Sequence, residues 1–256
     1  MSGKGATGTD PVLGEFVDGV QWLTLNRPDR LNAVTPGLYD ALMVRVSEAA
    51  ADRRVKCVVL TGAGKGFCAG KDLKSSVVEQ KSTPGEWLEA RIDYLRASAQ
   101  ISKLLHQMEK PTIAMINGAT AGAGLSLAAA CDFRVAGDAA VLTSAFVKVG
   151  LPGDMGGTWF WTRILGAAKA KRLYLRSERF DAQAALAFGL VDEVVSNEAL
   201  KSHVSEVASQ FASSSATALR LAKAALNAAT ACSLDEMLEI EAANTAMAGV
   251  DAAMQA

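Results

Sequence analysis

Apolar positions along the chain alternate between a strand period and a helix period. Val12 to Val17 and Val20 to Leu25 read as two strands joined at Asp18-Gly19, a hairpin signal. Asn26-Arg27-Pro28-Asp29-Arg30 breaks that pattern. Leu38, Leu42, Val46 and Ala49 then fall on one helix face and predict a helix over 36–51. Lys56 to Thr61 (KCVVLT) reads as a buried strand, and an amphipathic pattern predicts a long helix over 84–108. Thr112 to Ile116 is a strand after a proline, followed by the Asn117-Gly118 turn signal and a small-residue apolar helix ending near Cys131. Short strands are expected at Phe133 to Ala136, Ala140 to Leu142 and Val191 to Val195. Helical patterns resume near Thr158 and Ala167, and again over 181–188. From Asn197 onward the signals are helical only: Leu200, Val204, Val207 and Phe211 make one face, Leu219, Ala222 and Leu226 another, and Leu234, Met237 and Leu238 open a third. The expected organisation is a tail at 1–10, an α/β core of β-β-α units over 11–196 and a helical region over 197–256. Residues 74–83 are polar and read as irregular.

Three glycine-rich segments interrupt these patterns. The first, GAGKGFCAGKDL from Gly62 to Leu73, follows a strand. It is not a phosphate loop, because no GxxxxGK[ST] fits it, and Phe67 breaks the dinucleotide spacing GxGxxG. The second, INGATAGAGLSLAAACD, places Gly122 and Gly124 at the mouth of the buried helix. A helix start carries unpaired N–H groups and the positive end of a dipole, and small residues let another molecule reach them. One meaning is a site for an oxygen bearing negative charge. The other is close helix packing. The third segment is VGLPGDMGGTW, from Val149 to Trp159.

Composition narrows the classes. Half of the 256 residues are apolar and 21% are charged, ordinary for a globular protein. Lys plus Arg (26) balances Asp plus Glu (27), which implies neither nucleic acid nor an anionic membrane as partner. Four dispersed cysteines (Cys57, Cys68, Cys131, Cys232) form no CxxC pair and read as reduced thiols of a cytoplasmic protein. With two histidines, His106 and His203, both in predicted helices, no metal site is expected. The N-terminus has no signal-peptide layout, and the apolar run at 118–131 is too short for a membrane span.

Read together, GKGFCAGKDL, INGATAGAGLSLAAACD and GLPGDMGGTW resemble in order and spacing the crotonase superfamily of enoyl-CoA hydratases and isomerases. NRPDRLNAV and AFGLVDEVV are similar to segments of the same family, so the resemblance spans roughly 12–245. It implies a crotonase-like spiral of β-β-α units with a C-terminal helical part, and a trimer or dimer of trimers. It also implies an acyl-coenzyme A substrate, no separate cofactor and no metal. By the family pattern the thioester enolate oxygen is held by the backbone N–H groups of Lys71 and Ala123. Ala69, Gly70, Lys71, Asp72 and Leu73 line the CoA portion.

The departures choose the chemistry. The two glutamates of the family's hydratases match Ser126 and Phe146 here, and neither is a carboxylate. Phe146, with Trp159, would make an apolar wall. Asp154 stands where several isomerases of the superfamily carry an aspartate, and AGAG with GLxxDxGGTW resembles the 1,2-epoxyphenylacetyl-CoA isomerase type. Asp154 also fits a helix N-cap. Family chains usually continue past the third helix into a further basic, Phe-containing tail, whereas this sequence stops at Ala256 after an Ala-rich stretch. The expected function is an acyl-CoA isomerase using Asp154 as acid/base. The alternatives are an enoyl-CoA hydratase with reassigned groups, a serine hydrolase built on Gly124-Leu125-Ser126-Leu127-Ala128 (an elbow lacking its final glycine), and a non-catalytic binding protein.

Overall fold

A computed structural model describes residues 10–72 and 84–255. The expected tail, Leu73 and the stretch read as irregular at 74–83 lie outside the described residues, Asp10 excepted. The strands are β1 (Val12–Val17), β2 (Val20–Leu25), β3 (Cys57–Gly62), β4 (Gly66–Cys68), β5 (Thr112–Ile116), β6 (Ala119–Ala121), β7 (Phe133–Gly137), β8 (Val141–Thr143), β9 (Phe180–Asp181) and β10 (Glu193–Val195). The α-helices are α1 (Pro36–Ala51), α2 (Pro84–Gln107), α3 (Ala123–Ala130), α4 (Gly157–Arg176), α5 (Ala182–Phe188), α6 (Asn197–Ser213), α7 (Ala216–Ala228) and α8 (Leu234–Gln255).

Successive strands are dealt to two sheets. A six-stranded sheet has the order β1-β2-β3-β5-β7-β10, and a four-stranded sheet the order β4-β6-β8-β9. The β1–β2 hairpin turns at Asp18 and Gly19, both at positive φ (48° and 83°). From β2 onward the large sheet is parallel. Each unit sends one strand to each sheet and then a helix: β3, β4, α2; then β5, β6, α3; then β7, β8, α4. This is the α/β spiral of β-β-α units that the resemblance implies.

The helices start where local chemistry starts them. The Thr35 hydroxyl accepts from Leu38 N–H at 3.3 Å and Pro36 takes the first helical position of α1, a cap worth about 1 kcal/mol. At the other end of α1 the Lys110 ammonium donates to the carbonyls of Ala49, Ala50 and Asp52, at 2.5, 3.0 and 2.6 Å. It thereby satisfies carbonyls that a helix end leaves open. The core between the sheets gathers Leu23, Leu25, Leu60, Phe67, Ile116, Leu125 and Trp161, all buried.

The last three helices pack unequally. The helical region expected from 197 begins with α6, yet Leu200, Val204 and Ala208 of α6 pack on Trp22, Val59, Ile113 and Val135. The outer face of the large sheet is apolar because α6 covers it, so α6 belongs to the core by packing. Leu221 is the one fully buried side chain of α7, and α8 has none among its described side chains. Lys223 ties α7 down: its ammonium donates to Leu105 O, Lys110 O and the Asp132 carboxylate at 3.3, 2.9 and 2.7 Å. No helix among the described residues is long and apolar enough to cross a membrane.

Candidate active site

The first glycine-rich segment is held by two asparagines. Asn32 is wholly buried; its amide donates to Ala63 O and Gly66 O at 3.0 and 2.7 Å and accepts from Arg27 N–H at 2.8 Å. Asn117, after β5, donates to Gly64 O (2.9 Å) and accepts from Gly62 N–H (3.3 Å). A loop poor in side chains is thus fixed through its backbone. Past β4 the chain makes a parallel bridge: Val34 N–H donates to Gly70 O (2.7 Å) and Asp72 N–H donates to Val34 O (2.9 Å). In a parallel pairing the intervening residue turns its own N–H to the opposite edge. That residue is Lys71.

The second segment meets the first there. A methyl group built on Gly70 would stand 2.8 Å from Ala121 O and 3.5 Å from Ala123 N. One built on Gly124 would stand 2.2 Å from Cys68 O, so only glycine lets the first turn of α3 press against the end of β4. These contacts bring the Lys71 and Ala123 amides into one neighbourhood. Among the described residues neither N–H is paired with another group. Ala123 is the first residue of an eight-residue, fully buried helix, where an unpaired N–H and the dipole favour negative charge.

A chain of contacts leads from this turn to Asp154. A methyl on Gly122 would lie 3.7 Å from the Phe146 ring. Phe146 stacks on Tyr174 of α4, with centroids 5.8 Å apart and 10° between planes. Tyr174 in turn packs against Gly153, and its hydroxyl and that of Ser126 lie on the same side of Gly157. Ser126 is wholly buried and also donates to Gly122 O at 3.4 Å. A methyl on Gly157 would fall 2.2 Å from Ser126 Oγ and 2.3 Å from the Tyr174 hydroxyl, so α4 begins in direct contact with α3. Asp154 sits half-buried beside this wall. Burial raises its carboxyl above the ordinary 3.8; the Met155 N–H, donating to Oδ1 at 2.7 Å, and the Arg91 guanidinium pull it partly back. Tyr39 of α1 and Tyr174 both lie in the field of this carboxylate. Burial pushes the Tyr174 phenol up to about 12.

The residues singled out in the sequence fall as follows. Lys71, Ala123, Gly70 and Phe146 come together, and the contacts from Phe146 through Tyr174 reach the Asp154 segment. Ala69 is half-buried, with its N–H donated to Leu31 O at 2.9 Å. The Asp72 carboxylate is engaged by Arg27 at 3.1 Å. Leu73 lies outside the described residues. The N-cap alternative for Asp154 is not what α4 uses: the cap residue is Gly156, with no side-chain capping bond. The apolar wall expected from Phe146 and Trp159 together is corrected: Trp159 is 41% exposed and touches His106, Phe160 and Arg163 instead. The elbow expected around Ser126 has its serine buried against Tyr174 and Gly157, with His203 paired to Glu193 (2.5 Å) rather than to it. Sequence reasoning missed Tyr39, Tyr174 and the two asparagines: tyrosine on a helix face reads as core, Asn117-Gly118 reads as a turn, and Asn32 lies in an irregular stretch with no local signal of its loop contacts. Cys57, Cys68 and Cys131 are buried, with thiols pushed up to about 12, which leaves them poor nucleophiles. Among the described residues no group of three or more His, Cys, Asp and Glu is placed to hold a metal ion.

A spiral of β-β-α units with two free amides opposite an apolar wall is the frame of an acyl-thioester enzyme. The family model described as enoyl-CoA hydratase/isomerase matches residues 15–255, and the chain belongs to that family. It is 35% identical to a 1,2-epoxyphenylacetyl-CoA isomerase of Escherichia coli K12 over 93% of this chain and 90% of that protein. It is 32% identical to a short-chain-enoyl-CoA hydratase of Clostridium acetobutylicum over 90% of this chain and 86% of that one. The crystal structure of an enoyl-CoA hydratase from Polaromonas sp. JS666 superimposes with a TM-score of 0.84 at 32% identity, covering 92% of this chain and 90% of that one. The protein is therefore an acyl-CoA enzyme of a family whose members carry both hydratase and isomerase names.

Proposed function

We propose that the protein is an isomerase that shifts a double bond, or rearranges a ring epoxide, in an acyl-CoA through a thioester enolate. The Lys71 and Ala123 amides hold the enolate oxygen, and Asp154 moves the proton. The observation that carries this reading is the pairing of one carboxylate with the loss of two. Asp154 is half-buried with its carboxyl raised, as suits a group that must both accept and return a proton. The positions that resemble the hydratase glutamates hold a serine bonded to Gly122 and a phenylalanine stacked on Tyr174.

For a 3-enoyl substrate the steps balance on one group. The Asp154 carboxylate takes a proton from the α carbon; the electron pair moves into the thioester, and the dienolate oxygen is held by the two amides. The Asp154 carboxylic acid then gives that proton to the γ carbon, the carbonyl reforms and the double bond lies at the 2 position. Each amide donor is typically worth about 100- to 1000-fold in rate. Coenzyme A enters as part of the substrate and no cofactor is proposed. The test is a panel of 2-enoyl, 3-enoyl and ring-epoxide acyl-CoAs with products weighed by mass spectrometry. Isomerised products of unchanged mass support the reading. Addition of one water to 2-enoyl-CoA as the faster reaction replaces it with hydration.

The same reading includes a cytoplasmic homo-oligomer of three or six chains. It is supported by exposed apolar side chains on the last two helices: Leu226, Leu234, Leu238, Val250 and Met254. Light scattering is expected to give a multiple of the 26.7 kDa chain, and an active monomer rules assembly out.

A further inference from the structure

Among the described residues, a polar group beside the proposed reacting centre has no partner. Tyr39 lies in the first turn of α1, whose N-cap Thr35 follows Val34, the residue bridged to Lys71. The start of α1 is therefore fastened to the oxyanion loop. The Tyr39 side chain is 4% exposed and meets Tyr94 edge-on, with centroids 6.3 Å apart. It belongs to the same apolar cluster as Cys68, Ala123, Phe146 and Met155. Among the described residues its hydroxyl has no hydrogen-bond partner.

The groups that face the Tyr39 hydroxyl define where it sits. Besides burial, it feels the Asp154 carboxylate, the Cys68 thiol, the Tyr94 phenol and, with opposite sign, the Arg91 guanidinium. Asp154 marks the reacting carbons, and Cys68 stands three residues before Lys71. The sum holds the proton on the phenol far above its ordinary value, so Tyr39 is a neutral donor at any working pH. A buried hydroxyl without a partner is destabilising, and phenylalanine would fill the same space without that cost. Among the described residues nothing supplies that partner; a polar group entering the site would.

We propose that the Tyr39 hydroxyl donates a hydrogen bond to an oxygen borne by the substrate's acyl group near the reacting carbons, and so selects oxygenated acyl-CoAs (epoxide, hydroxyl or cyclic ether) over hydrocarbon chains. The proposal rests on the acyl-CoA reading above and deepens it. The contact is one of recognition; no bond is made or broken in it. A site that hydrogen-bonds a substrate oxygen discriminates against the analogue lacking it, because its own group is then left unpaired.

The test is the affinity of the full chain and of Tyr39→Phe for 2-hydroxyphenylacetyl-CoA and phenylacetyl-CoA, by calorimetry. The wild type is expected to prefer the hydroxylated ligand by about tenfold or more. Tyr39→Phe is expected to bring that ratio close to one, with a melting temperature equal to or above that of the wild type. A ratio near one in the wild type, an unchanged ratio in Tyr39→Phe, or binding of neither ligand overturns the proposal. A lower melting temperature with both affinities reduced alike overturns it too, because the hydroxyl then serves the fold. Deuterium exchange by Asp154→Asn is measured separately. Should that variant keep exchanging, the base assignment falls while the affinity ratio still decides Tyr39.

Discussion

The two halves of the site are made of different material. On the proposed reading the oxyanion half is backbone: the Lys71 and Ala123 amides, set by glycines and by the asparagine side chains of Asn32 and Asn117. The opposite half is side chain: Asp154, Phe146, Tyr174, Ser126 and Tyr39, drawn from five separate stretches. Backbone donors do not depend on which side chain they carry, so the first half can hold an enolate oxygen whatever follows. In the proposed mechanism the second half decides where the proton goes and what acyl group fits. One family can therefore carry both hydratase and isomerase names on one frame.

That division is broken most severely at Asp154. Asp154→Asn should lower kcat for a 3-enoyl-CoA by about 100- to 10,000-fold, the range of a positioned general base. Binding of the CoA thioester should persist, and deuterium from heavy water should no longer enter the acyl chain. Wild-type exchange in the variant would assign the proton to another group. On the other half, Ala123→Pro removes one amide at a helical position that tolerates proline. The expected cost is about 100- to 1000-fold in kcat with the fold retained by circular dichroism. Ala123→Gly keeps the amide and should stay within a few-fold. Equal activity of folded Ala123→Pro would take this amide out of the site.

The seam between the halves offers a smaller perturbation. Gly157→Ala puts a methyl against Ser126 Oγ and the Tyr174 hydroxyl, where there is 2.2 and 2.3 Å of room. Overpacking of this kind costs about 1–3 kcal/mol, several degrees of melting temperature for a domain of this size. Activity should fall with it, because the start of α4 carries the Asp154 segment. An unchanged melting temperature would mean that α3 and α4 are free to part.

The two halves were unequally legible. The backbone half announced itself by glycines after strands, a local signal. Long elements were equally plain: α1 and the β1–β2 hairpin lie where periodicity predicts them, and the two helical patterns near Thr158 and Ala167 are one helix interrupted at Gly166, whose φ of 75° is not helical. Most of the second sheet was not legible. β4, β6 and β9 have two or three residues each, and their pairing is decided by strands distant in sequence. The side-chain half was hidden for the same reason. Nothing near Tyr39 or Tyr174 in sequence shows that Asp154 is their neighbour; that follows from α1 and α4 each burying a face in one core.

The mildest test of the comparison uses stability. A backbone donor carries no titratable charge, so the oxyanion half makes no contribution that varies with pH through its amides. Asp154 does. Its folded carboxyl lies above the ordinary 3.8, so the folded state binds the proton more tightly than the unfolded one. Its contribution is then fully favourable below the unfolded value and is lost as pH rises through the folded value. At neutral pH the ionised, half-buried carboxylate is a net burden on the fold. Asn keeps the size and can still accept from the Met155 N–H, while removing the charge. Asp154→Asn should therefore melt slightly above the wild type at pH 7, and the two curves should converge as pH falls below about 4, where both side chains are neutral. The acid limb of kcat/KM should fall above 3.8 for the same reason, since the working form is the carboxylate. A variant that melts lower than the wild type at pH 7 would mean that Asp154 is held by a charge partner stronger than its burial, and would turn the expected shift of the acid limb downward.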